Sequence, residues 1–129
     1  MGFFDNERWE WIKTEWSAGN YSKALSMLFN GLPNMTYPGN YDETQDHNPL
    51  SPIFWWRELF HFVGGFIIGL SLLWMNPILS VFCVTGPAFY KEFFIDAKEQ
   101  PNGWDFKNIV DASAWTLGCI TINLLFCLL

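Results

Sequence analysis

Positive charge is scarce in this chain: seven Lys and Arg stand against 13 Asp and Glu in 129 residues, a net charge of −6. No basic cluster exists to neutralise phosphates, which excludes a nucleic-acid surface, and adhesion to anionic lipid by charge alone is excluded for the same reason. Cysteine is also sparse. Cys83, Cys119 and Cys127 all fall in apolar stretches without metal-type spacing, so they read as buried thiols and not as a disulfide framework. There is no phosphate-cradling glycine loop, no serine nucleophile elbow and no haem-attachment pattern. Asp5, Glu7, Arg8, Glu10, Lys13 and Glu15 interrupt the first 20 residues, so no cleavable signal is expected there and membrane insertion falls to internal segments.

What is abundant is apolar and aromatic surface. Hydrophobic residues make up 50 % of the chain and aromatics 19 %, more than an average small soluble domain carries. Eight tryptophans are present, and Trp55, Trp56, Trp74 and Trp104 sit close to the ends of apolar segments, where interfacial anchors sit. These features predict an all-α fold: a small helical membrane protein, a three-helix hairpin bundle preceded by an amphipathic N-terminal helix pair.

The pattern along the chain divides it at residues 1–52 and 53–129. Asp5 or Asn6 can cap a first helix that carries Trp9, Ile12 and Trp16 at helical spacing. Gly19 and Asn20 break it, and a second short helix over 21–30 is expected to end at Gly31 and Pro33. The pair either packs against the rest of the protein or lies in the membrane interface. Residues 33–52 read as a surface loop containing His47. Three apolar segments follow, over about 59–75, 77–95 and 108–129, with a reversal at Asn76-Pro77 and a polar loop containing Pro101, Asn102 and Gly103. The last is long enough to span a bilayer, while Pro87 is expected to bend the second.

If consecutive segments run antiparallel, the ionisable residues of all three gather at one end. His61 opens the first segment beside Glu58, and His61, Gly65 and Gly69 recur every four residues; Gly65 and Gly69 form a small-residue face for close helix approach. Glu92 and Asp96, four apart, project from one side of the second helix. Asp111 enters the third, where a carboxylate is costly and tends to serve a role. His61, Glu92 and Asp111 are the candidate catalytic groups. His61, Glu92, Asp96 and Asp111 supply ligand types for a divalent metal such as Zn, Mn or Mg, with Asp105 or Glu58 in reserve; without metal the same residues form a hydrogen-bonded network.

The arrangement His61-Phe-Val-Gly-Gly65, then Lys91-Glu92 with Asp96, then Asp105, Asn108 and Asp111 leading to Gly118, resembles the small VanZ-like membrane proteins and a related group of bacterial and phage envelope proteins. Ile95 stands where a glutamine often follows the glutamate in that family. The resemblance implies a cell-envelope association and no particular reaction. The expected function is therefore a membrane protein whose polar site at one bilayer face binds or acts on a lipid or lipid-linked envelope component. A holin-like permeabilising protein, which would form homo-oligomers through Gly65 and Gly69, and a membrane-anchored assembly module are the alternatives. Lys and Arg fall on the site side of the hairpin, which predicts a multi-pass protein of the inner membrane with N-terminus and site in the cytoplasm.

Overall fold

The computed structural model describes residues 6–99, 103 and 105–129; the expectations placed on Asp5, Pro101, Asn102 and Trp104 lie outside them. The described chain is all-α, without strands: α1 (Asn6–Ser17), α2 (Tyr21–Thr36), a 3₁₀ turn at Glu43–Gln45, α3 (Pro52–Ser71), α4 (Pro77–Tyr90), a π-helical turn at Lys91–Asp96, the short α5 (Ala97–Glu99) and α6 (Phe106–Leu128). It forms two compact units, Met1–Trp56 and Arg57–Leu129.

In the first unit α1 and α2 form a hairpin that reverses at Gly19, whose φ of 83° suits a residue without Cβ. Trp16 and Tyr21 meet edge to face across the turn at 4.9 Å. Lys23 donates to Glu15 at 2.5 Å and Asn20 at 2.8 Å; the Lys23 bond first, then the Asn20 bond, hold the Glu15 carboxyl below its ordinary pKa. The expected end of α2 at Gly31 and Pro33 is corrected, since the helix continues to Thr36. Gly31 is used for close approach: a Cβ there would stand 2.7 Å from Arg8 Cδ. Beyond Pro33 the last turn holds because the Thr36 hydroxyl donates to the Leu32 carbonyl at 2.7 Å and the Tyr37 N–H to that of Pro33 at 3.2 Å. The following segment is more ordered than a surface loop: Tyr41 donates to the buried Asp46, and Tyr37 packs edge-on against Tyr41 and Trp56.

Three helices of the described chain are long and apolar enough to cross a membrane, Pro52–Ser71, Pro77–Asp96 and Phe106–Leu128; the second unit takes the first of them from Arg57 onward. Pro52 starts α3 at a position where its missing N–H costs nothing, and the Ser51 hydroxyl accepts the Ile53 N–H at 3.3 Å. Asn76 caps α4, accepting from the Ile78 and Leu79 N–H groups at 2.9 and 3.5 Å, with Pro77 at the first helical position. The π turn directly follows the helix that contains Pro87.

The distribution of side chains is the reverse of a soluble domain. Large apolar groups including Ile67, Leu70, Trp74, Phe82, Phe94 and Leu124 are exposed, while Glu58, Ser80, Glu92, Lys107, Asn108, Asp111 and Asn123 are buried. Such a surface suits hydrocarbon. Inside, polar pairs join α4 to α6. Thr85 and Thr116 meet at 3.0 Å, and Asn123 donates to the Ser80 hydroxyl at 3.3 Å. Bonds of this kind hold helices together in an apolar solvent, at about 0.6 kcal/mol each.

α3 and α6 touch through backbone. A Cβ on Gly65 would collide with the Trp115 carbonyl, one on Gly118 with that of Phe62, and one on Gly69 would lie 3.0 Å from Cys119 Cα. The Gly65/Gly69 face is thus filled within the chain. Gly65→Ala is expected to lower unfolding stability in detergent by about 1–3 kcal/mol through overpacking, whereas Ile67→Ala, at a site 56 % exposed, should cost under about 1 kcal/mol. Equal losses would show that the close approach carries no special weight.

Candidate functional site

The seam between α3 and α6 places one turn of each helix side by side at the charged end of the unit. His61 lies one turn before Gly65, and Asp111 one turn before Trp115. The same contact that seats Gly65 on Trp115 therefore brings His61 to Asp111, with Nδ1 3.6 Å from Asp111 Oδ1. Glu58 comes from α3 itself, three residues before His61, with Oε2 3.1 Å from the same nitrogen. The indole of Trp115 stacks on the imidazole, with centroids 5.8 Å apart and planes inclined by 30°, so the ring is held on one side by an aromatic plane and on its edge by two carboxylates.

Glu58, His61 and Asp111 offer one ligand atom each within 4.8 Å of one another, a group that can hold a metal ion. Both carboxylates are 5 % exposed; Glu58 Oε1 and Asp111 Oδ1 accept from no N–H or hydroxyl, and the two carboxyls lie within hydrogen-bonding reach of each other, where they can share a proton or a cation. A buried carboxylate oxygen without a donor is expensive. His61 Nδ1 can serve either state of the site: protonated there, the neutral ring donates to Glu58; in the other tautomer its lone pair joins the carboxylate oxygens as a ligand.

Around this group three side chains set its charge and shape. Lys107, one turn before Asp111, donates to Asp111 Oδ2 at 2.7 Å and is itself buried. Asp105 caps α6, accepting the Lys107 N–H at 2.9 Å, while Asn108 accepts the Asp105 N–H at 2.7 Å to complete a capping box. The amide of Asn108 then reaches across to the π turn and donates to the Glu92 carbonyl at 3.0 Å and its carboxylate at 3.4 Å.

The residues expected at the site divide accordingly. His61 and Asp111 are together, joined by Glu58, the residue held in reserve. Glu92 is buried but faces Asn108 and Lys91, whose ammonium donates to it at 3.1 Å; its charge acts on Asp111 and His61 without its joining the ligand group. Asp96 pairs with Lys91 at 2.5 Å at the partly exposed edge. Asp105 is a helix cap. Lys107, Asn108 and Trp115 complete the site. The four-residue step from Lys107 to Asp111 is the pattern that points to the first of these.

Comparison with protein-family models, with characterised proteins and with solved structures finds no match to this chain.

Asn108→Ala removes an amide that both completes the α6 cap and ties α6 to Glu92. It is expected to cost about 1–3 kcal/mol in unfolding measurements, because buried partners are left unmatched. Asp96→Ala, which breaks an ion pair whose side chains are 52 % and 33 % exposed, should cost less than about 1 kcal/mol.

Proposed function

We propose that this chain is a multi-pass membrane protein in which Glu58, His61 and Asp111 bind one divalent cation at a membrane face, and that the cation serves to bind the oxygen-rich headgroup of a lipid or lipid-linked envelope component. The observation that carries the reading is the pair of buried carboxyls, Glu58 and Asp111, set against each other beside His61, with Glu58 Oε1 and Asp111 Oδ1 accepting from no N–H or hydroxyl. A cation satisfies both at once, and a His and two carboxylates are ligands that Zn²⁺ or Mn²⁺ accepts. Three protein ligands leave coordination positions open, as in sites where a metal meets a substrate.

The membrane setting is supported by the three apolar helices and their exposed apolar faces. Within the second unit Arg57, Lys91, Lys98 and Lys107 belong to the helix ends that bear the site, while the 72–76 turn carries no Lys or Arg, which favours a cytoplasmic site. The VanZ-like pattern of residues agrees with an envelope component as ligand. In this reading Glu92 positions Asn108 and shapes the field around the site.

Metal analysis and Mn²⁺ or Zn²⁺ titration of the full chain in detergent test the proposal. One ion per chain is expected, abolished by Glu58→Gln or Asp111→Asn and weakened at least about tenfold by His61→Ala, or about 1.4 kcal/mol. Retention of phosphatidic acid in nanodiscs should then fall on adding chelator. Absence of stoichiometric metal in a folded chain would make the group a structural hydrogen-bonding network.

A further inference from the structure

Lys107 is buried at 8 % exposure beside the ligand group, and a buried lysine is rare unless something in the fold needs its charge. Its ammonium holds one oxygen of Asp111, Oδ2, at 2.7 Å, while the other, Oδ1, turns to His61 and accepts from no N–H or hydroxyl. One carboxylate is thus divided between a resident cation and the place where an incoming ion would sit. With Glu58 and Asp111 ionised the pair carries two negative charges, and Lys107 offsets one of them. Its charge also acts on Glu58 and His61.

Resting on the cation-site reading above, we propose that Lys107 is a tethered competitor of the divalent ion: it neutralises Asp111 when the site is empty and weakens ion binding when the site fills, keeping the ion exchangeable. The physical basis is charge repulsion over a few ångströms in a poorly screened interior, where ammonium and ion share a single carboxylate. The competitor stays within reach of Asp111 even when displaced, because its side chain springs from the first turn of α6, whose backbone Asp105 and Asn108 cap. Its effective concentration at Asp111 is therefore constant, and it compares every arriving ion against a standard supplied by the chain.

The test is Mn²⁺ titration of full-length wild type, Lys107→Met and Lys107→Arg in detergent. Lys107→Met is expected to bind at least about tenfold more tightly, a difference of about 1.4 kcal/mol, with a larger ion-induced rise in Tm; Lys107→Arg, which keeps the charge, should stay within about threefold of wild type. Should Lys107→Met fail to fold, the wild type alone decides the matter. Mn²⁺ should then speed acylation of Lys107 by an amine-directed reagent several-fold while leaving the exposed Lys98 unchanged. Wild type that binds while Lys107→Met binds equally or more weakly, or Lys107 reactivity unmoved by the ion, overturns the competitor and leaves the cation site standing. Wild type that binds no ion overturns both.

Discussion

The contact of α3 with α6 through bare backbone is the constraint on which the second unit depends. Gly65 lies against the carbonyl of Trp115, and Gly118 against that of Phe62. Nothing larger than hydrogen fits at either point without moving a helix. Because the helices run in the same direction, that contact repeats one turn earlier as His61 beside Asp111. The site is therefore positioned by helix registry and not by loops. It has the rigidity of a packed seam, which suits groups that must keep a fixed separation.

α4 is fastened to this seam by different means. Where α3 and α6 use the absence of side chains, α4 and the π turn after it meet α6 through polar pairs: Ser80 with Asn123, Thr85 with Thr116, and Glu92 with Asn108. In water such pairs would be worth little, but against hydrocarbon they are the means by which one apolar helix chooses another. The last of them also ties the cap of α6 to the π turn, so the lysine and carboxylate of the site are held by the same network that closes the bundle.

Much of this was legible in the residues. Three apolar segments, the Asn76-Pro77 reversal and the cost of placing Asp111 in the third follow from length, breakers and polarity. Helix spacing makes Gly65 and Gly69 one face. Spacing does not say how deep each residue on one side will sit: Glu92 is buried against Asn108, while Asp96, four residues on, stays at the partly exposed edge, and Lys91 pairs with both. Glu58 takes the place expected of Asp96 beside His61. Cross-helix partners such as Asn108 with Glu92 require the registry of two helices, which no single segment encodes. Pro33 misled in the other direction, because bonds from Thr36 and Tyr37 sustain the turn that follows it.

The pairing of Lys107 with Asp111 also bears on how the last helix reaches its place. Both charges lie on one helix, one turn apart, so they can meet as soon as that turn coils. A segment entering a bilayer with a lone aspartate would have to await a partner from another helix, held back by the cost of dehydrating the charge. In α6 the partner lies in the same segment, so the cost of dehydrating Asp111 is offset within one turn of one helix. The contact with His61, which needs the glycine seam between two helices, is then an addition to a charge already matched and not the condition for burying it.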